Sequence, residues 1–239
     1  MRAAAALVLF LAVGLRAEEP KKPRYETRKD HDPQGTGVFY LGREIAPVMG
    51  FQAAGWLERT EREKEEEPAK LIEALGLKPG MVVADVGAGS GYHSFLMAPL
   101  VGEKGKVLAV DVQPEMLDLI KARAKKQKVT NVEPVLGTET DPKLPSASVD
   151  LILMVDVYHE FNKPYEMAEA MVASLKPGGR LVFVEFRLED EKVPIKLVHK
   201  MSERQVLKEM AEFPNLTHEK TVGTLPWQHV VVFRKNEKK

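Results

Sequence analysis

Short apolar runs separated by longer amphipathic stretches dominate the chain from residue 81 onward. Residues 81–86 (MVVADV) and 149–155 (VDLILMV) are nearly continuous apolar segments of strand length, the pattern of strands covered on both faces. Residues 106–111, 132–136 and 180–186 are further strands, and 91–101, 113–128 and 163–175 have helix length. Strands that alternate with helices of this size imply right-handed crossovers and a parallel sheet with helices on both sides. The tail differs. A helix at 202–212 precedes a strand near 217–222, a turn at Thr224-Leu225-Pro226 and a strand at 228–233. Two strands joined so closely pair antiparallel. The predicted fold is α/β: a doubly wound, seven-stranded, mostly parallel sheet with a C-terminal antiparallel hairpin and helices on both faces.

Upstream of residue 78 the pattern is less regular. Residues 18–36 are polar, charged and proline-bearing without apolar period, and read as a flexible linker. Residues 37–67 form an N-terminal cap: 38–56 is rich in aromatics with one short helix, and the Glu/Arg/Lys run from Glu58 to Glu67 reads as a solvated helix face. Pro68 starts a fresh helix, because proline suits a first turn and breaks an interior. The main domain is expected over 68–239.

Composition narrows the chemistry. The chain has 239 residues and no cysteine, so disulfides, thiolate nucleophiles and Cys-ligated metal sites are excluded. Lys plus Arg and Asp plus Glu are equal at 35 each, so the basic excess that drives nucleic-acid binding is missing and no nucleic-acid partner is expected. At the amino terminus, Arg2 precedes an uncharged apolar run from Ala3 to Leu15. This reads as a signal peptide over 1–17, cleaved after Ala17, giving an exported protein; if the signal is unused the protein stays cytoplasmic. The run is too short to cross a bilayer as a helix, so no stable membrane span is expected after cleavage.

The sharpest local signal is Asp85-Val86-Gly87-Ala88-Gly89-Ser90-Gly91-Tyr92, placed between a strand and a helix. A dinucleotide site wants G-x-G-x-x-G, which puts the third glycine at position 92; that position is Tyr, and Asp85 would repel a diphosphate. This argues against a nicotinamide oxidoreductase. The segment V-A-D-V-G-A-G-S-G-Y instead resembles the first motif of the class I (Rossmann-like) S-adenosylmethionine-dependent methyltransferases. The stretches VLAVDVQPEML, VDLILMVDVYHEF and LKPGGRL resemble that family's later motifs, and the likeness runs in register over roughly residues 68–235. The G-S-G-Y portion is also similar to isoaspartyl protein methyltransferases, without a match to their upstream substrate loop.

The resemblance implies S-adenosylmethionine as cofactor and, among small-molecule types, a small-molecule acceptor. It implies roles by position. Asp85 faces the methionine amino end through water or backbone; Gly87, Ala88, Gly89 and Gly91 pass beside the ligand. Asp111 holds the ribose, Val112 and Met116 flank the adenine, and Thr138 or Glu139 stands near the adenine amine. Met154, Val155 and Asp156 line the cleft. Alternatives to an enzyme acting on small molecules are a protein-directed methyltransferase and a non-catalytic cofactor-binding envelope protein.

Methyl transfer from a sulfonium is an in-line displacement, so the protein mainly aligns the nucleophile, with a general base useful for a hydroxyl or protonated nitrogen. Asp156, Tyr158, His159 and Glu160 follow the fourth strand and supply candidates. A base role for His159 competes with one in which it caps or hydrogen-bonds the next helix, and Glu160 also reads as a carboxylate favoured at a helix start. His93, in the first turn of the helix that follows the glycine loop, reads either as a packing or surface residue or as a substrate contact. No metal site is expected, since the histidines show no ligand spacing. Phe51, Trp56 and Arg59 belong either to a lid over the acceptor pocket or to ordinary aromatic packing on the sheet.

Overall fold

The computed structural model of the protein describes residues 23–237; the expected signal peptide at 1–17 lies outside the described residues. The first elements among the described residues are three short strands, β1 (Tyr25–Thr27), β2 (Val38–Tyr40) and β3 (Arg43–Glu44), paired antiparallel as a small sheet. Helices α1 (Ala54–Leu57), α2 (Arg62–Glu65) and α3 (Pro68–Leu75) lead to the main domain. There follow β4 (Val82–Val86), α4 (Tyr92–Val101), β5 (Lys106–Asp111), α5 (Pro114–Gln127), β6 (Val132–Leu136) and β7 (Val149–Val155). After α6 (Pro164–Ser174) and β8 (Leu175–Phe186), the chain ends with α7 (Glu203–Met210), β9 (Leu216–Val222) and β10 (Gln228–Lys235).

The large sheet runs β6-β5-β4-β7-β8-β10-β9, parallel from β6 to β8 and antiparallel across β8, β10 and β9. The expected doubly wound sheet with its antiparallel end is therefore present. Alternation along each strand explains the two-sided core. Ala84, Ile152, Leu181 and Phe183 pack under α6 and α7, while their neighbours Val83, Leu151, Leu153 and Val182 pack under α3, α4 and α5. No helix among the described residues is long and apolar enough to cross a membrane.

Three departures from the expected layout shape the cavity and its surroundings. The described part of the segment read as a flexible linker is ordered from β1 onward. Tyr25 pairs with Tyr40 across β1 and β2, its hydroxyl donates to Glu166 on α6, and the Arg24 guanidinium stacks 3.2 Å over the Tyr165 ring. Such aromatic and cationic anchoring leaves no apolar period to find in sequence. The charged run 58–67 is not simply a solvated face. Arg62 and Glu66 are 3% and 1% exposed and pair at 2.6 Å, because the chain breaks between α2 and α3, with Glu67 left-handed before Pro68. Finally, the LKPGG segment belongs to the extended β8, with a register break against β7 where residues 176–179 bulge out.

Candidate active site

The order of the parallel strands reverses between β4 and β7, the place where open α/β sheets hold ligands beyond their carboxyl ends. A cavity of about 630 Å³ opens there, within the range of small-molecule sites. Its wall takes in the loop after β4, the end of β5, the turn after β6 and the turn after β7.

The glycine loop is held from behind. Gly87 and Ala88 both donate their backbone N–H to the Val110 carbonyl at 2.9 Å, and Gly89 donates to Asp111 Oδ2 at 2.9 Å. Asp111 Oδ1 accepts from the Gln113 N–H at 2.9 Å, so one carboxylate fixes the ends of two loops. Gly87 has φ of 75°, and a Cβ there would come within 2.3 Å of the Val157 side chain. That close approach requires glycine. Asp111 is 7% exposed; burial raises its pKa, opposed by the N–H groups it accepts from.

Of the residues expected to meet a cofactor, Gly87, Gly89, Asp111, Val112, Thr138, Glu139 and Val155 line the cavity, as does Met116. Asp85, Ala88, Gly91 and Met154 do not. Asp85 turns towards α4 and accepts a 2.6 Å hydrogen bond from Ser94 Oγ; burial pushes its pKa up to about 6. Gly91 caps α4 against Ile120 and Phe95, and Met154 is wholly in the core because alternate β7 side chains point away from the cleft.

The segment from Pro47 to Leu57 crosses the mouth of this cavity. Met49 donates to Glu160 Oε2 at 3.1 Å and accepts from Gln113 Nε2 at 2.9 Å, and Gln113 Oε1 accepts from Phe51 N–H at 2.8 Å. Trp56 lines the cavity at 41% exposure and stacks under the Arg59 guanidinium at 3.5 Å; Phe51 is 38% exposed. Neither ring is packed in the sheet's core. Arg62 also lines the cavity, a residue that sequence reasoning missed inside a charge-rich run. Its Nε donates to Glu66 and its Nη1 to the Leu57 carbonyl, while Nη2 makes no hydrogen bond among the described residues.

After β7, Asp156 adopts φ of 50° and its Oδ2 accepts a 2.6 Å hydrogen bond from Gln228. Its Oδ1 is buried without a partner among the described residues. Burial, with the Glu66 and Glu185 carboxylates nearby, holds its pKa well above the ordinary range. Tyr158 is wholly buried, edge-on to Phe183 at 4.9 Å, and does not line the cavity. His93 is likewise a packing residue, edge-on to Tyr92.

His159 and Glu160 stand on the cavity wall in a short 3-10 turn. His159 does not cap the following helix: its Nδ1 meets Glu185 Oε2 at 2.5 Å and its Nε2 lies 3.1 Å from His199 Nδ1. Burial opposes charge on His159, but Glu185 and Glu160 outweigh it and raise the pKa; burial and the neighbouring His159 lower His199 to about 4. Burial raises Glu160 despite the nearby His159. Glu185 and His199 were not foreseen. The one signal for Glu185 is a lone acid inside the apolar run LVFVEF.

The arrangement fits an adenosyl amino acid. Asp111 offers carboxylate oxygens at the cavity wall beside a loop too tight for a side chain at Gly87, with apolar Val112 and Met116 adjacent. Asp156 and Arg62 both line the cavity and bring an acidic and a basic group to it, the Arg62 guanidinium lying 4.5 Å over the Tyr92 ring. Among the described residues, no strongly cationic diphosphate cradle lines the cavity.

Comparison with known proteins agrees. The chain is 35% identical over 114 residues to a protein-L-isoaspartate O-methyltransferase of Pyrococcus horikoshii, and 36% over 115 residues to that of Methanopyrus kandleri. Each match covers 48% of either chain, so the protein spans about half the length of the curated relatives it matches. A SAM dependent methyltransferase from Aquifex aeolicus superimposes with a TM-score of 0.74 at 28% identity, over 79% of this chain and 100% of that one. The [4+2]-cyclase SpnF shares the fold at a TM-score of 0.61 and 11% identity, over 81% of this chain and 99% of that one, which shows that the fold alone does not fix the chemistry. Residues 77–231, more than half of the chain, match the family described as Methyltransferase domain, and the protein belongs to that family as a class I enzyme that uses S-adenosylmethionine.

Proposed function

We propose that the enzyme methylates an oxygen or nitrogen atom of a small-molecule acceptor that docks against His159, Glu160 and His199 under the 47–57 strap. The observation that carries this reading is that His159, only 1% exposed, shares a cavity wall with Asp111 and the glycine loop. An acceptor must enter the cavity to reach that histidine, which favours a small molecule over the surface of a folded protein.

S-adenosylmethionine, when bound, supplies a methyl carbon already made electrophilic by its sulfonium. The chain's task is alignment, which accounts for much of the rate in such displacements. Asp111 accepts from the ribose hydroxyls, Val112 and Met116 sandwich the adenine, and Thr138 and Glu139 stand at its amine. Arg62 pairs with the methionine carboxylate and Asp156 with the ammonium. Asp156 is thus a binding group, and an ammonium beside it offsets the burial and the Glu66 and Glu185 carboxylates that otherwise favour its protonated form. Asp85 and Gly91 act from behind the loop by holding its shape. The strap excludes water, and the His159 cluster, oriented by Glu185, places the acceptor's nucleophilic atom and promotes loss of its proton.

The curated relatives favour a second reading, transfer to protein carboxylates. Incubation with methyl-labelled S-adenosylmethionine and a cell-envelope extract separates the two: label in the low-molecular-weight fraction supports the proposal, and label confined to protein overturns it. Export is part of the proposal. Protein recovered outside the cytoplasm with its amino terminus at Glu18 supports it, and cytoplasmic protein that retains Met1 contradicts it.

A further inference from the structure

Three side-chain atoms converge at the acceptor end of the cavity: His159 Nε2, His199 Nδ1 and Glu160 Oε1. Their separations are 3.1 Å between the two nitrogens, 3.5 Å from His199 to Glu160 and 3.9 Å from His159 to Glu160. A triangle with these sides has a circumscribed radius of about 2.05 Å, so one point lies at that distance from all three atoms. Protein nitrogen and carboxylate oxygen bind zinc at about 2.0–2.2 Å. At about 2.2 Å from each ligand the ion sits roughly 0.8 Å out of their plane, which leaves coordination positions open on one side. This is the only group of three such residues found among the described residues.

The surroundings are those of a ligand set. His159 Nδ1 points at Glu185 Oε2, and Glu185, wholly buried on β8, is itself fixed by the Tyr158 N–H at 3.1 Å from its Oε1. A carboxylate behind an imidazole fixes its tautomer and leaves the far nitrogen's lone pair free for a metal. Glu160 has the same division of labour: Oε2 accepts from Met49 N–H and Oε1 is left facing the histidines. Linear spacing hides the site, because His199 lies 40 positions from His159 on a separate 3-10 turn.

We propose that His159, Glu160 and His199 bind one first-row divalent transition-metal ion, with open positions that receive an oxygen of the methyl acceptor. Two imidazoles and one carboxylate suit zinc or iron(II) rather than magnesium or calcium. The inference rests on the acceptor docking at this end of the cavity and sharpens it to an acceptor with an ionisable hydroxyl. The hydroxyl loses its proton to solvent on binding the ion; its oxygen then forms the new O–C bond as the C–S bond breaks, and sulfur keeps the electron pair. The ion, not the imidazole of His159, then lowers the hydroxyl pKa.

The test uses the untagged protein, stripped with a chelator and titrated with cobalt(II) alone. The expected result is one equivalent bound with a visible ligand-field spectrum, displaced by zinc. His199→Ala, at a partly exposed turn, abolishes the spectrum, as does Glu160→Gln. Glu185→Gln, which removes only the positioning carboxylate, shifts the spectrum and weakens cobalt binding by about 10- to 100-fold. Binding of S-adenosylhomocysteine, followed by thermal shift, reports the cofactor site separately. No cobalt spectrum in a protein that binds S-adenosylhomocysteine overturns the metal and leaves the methyltransferase assignment standing. Equal cobalt binding by wild type and His199→Ala also overturns it.

Discussion

Asp111→Asn tests how one carboxylate serves both loop and cofactor. Asp111 accepts two backbone N–H groups, from Gly89 and Gln113, each at 2.9 Å. An amide has one accepting oxygen. Whichever way it flips, its NH₂ faces one of those donors and leaves a buried N–H unpaired, at a cost of about 1–3 kcal/mol. Loss of the buried charge offsets part of this, since burial already disfavours the ionised form. The unliganded variant is therefore expected to lose at most about 2 kcal/mol in urea denaturation, and to remain folded. Cofactor binding suffers more. The amide also gives up one charge-assisted bond to a ribose hydroxyl, about 1.5–3 kcal/mol, or roughly 10- to 150-fold in Kd. Calorimetric titration should show that loss equally for S-adenosylhomocysteine and for 5′-methylthioadenosine, because both carry the ribose. A folded variant whose affinity stays within about twofold of wild type refutes the role given to Asp111.

Arg62→Met should weaken S-adenosylhomocysteine by about 10- to 150-fold while leaving 5′-methylthioadenosine, which lacks the amino-acid tail, unchanged; equal losses for both ligands contradict the carboxylate contact. The same variant should cost less stability than the about 3–5 kcal/mol of a broken buried pair, because Glu66 keeps Arg59 at 2.6 Å. Asp85 carries a pKa near 6 in the folded state, above its unfolded value, so the native protein holds a proton that the unfolded chain has lost. Stability should fall as pH rises from about 4 to 6, by up to about 3 kcal/mol, and Asp85→Asn should lack that component in denaturation series at the two pH limits; identical pH dependence in both proteins contradicts the assignment. Trp56, one of two tryptophans, lines the cavity, so S-adenosylhomocysteine should change its emission and Trp56→Phe should abolish the change. A signal retained in the variant would place the ligand elsewhere.

The sheet was legible because strands buried on two faces leave apolar runs too short for helices, rich in β-branched residues and alternating with helix-length segments, as in 81–86 and 149–155. The glycine loop and Asp111 were legible for a local reason: close backbone approach and a strand-terminal carboxylate are written in adjacent residues. His159 and Glu160 were found on the same ground. What escaped depends on tertiary closure. Arg62 is polar in a polar run, and only the break between α2 and α3 turns it inward. His199 reaches the site from a turn with no period, and the burial of Asp156 near the Glu66 and Glu185 carboxylates is set by tertiary packing rather than by its neighbours in sequence. Asp85, Ala88 and Gly91 belong to the motif but support it from outside the cavity.

The most direct measurement is the crystal structure of the protein with S-adenosylhomocysteine. Ribose hydroxyls are expected on Asp111, the amino-acid tail between Arg62 and Asp156, and sulfur facing the His159–Glu160–His199 end of the cavity. A nucleoside bound away from Asp111, or sulfur turned from that end, would contradict this placement.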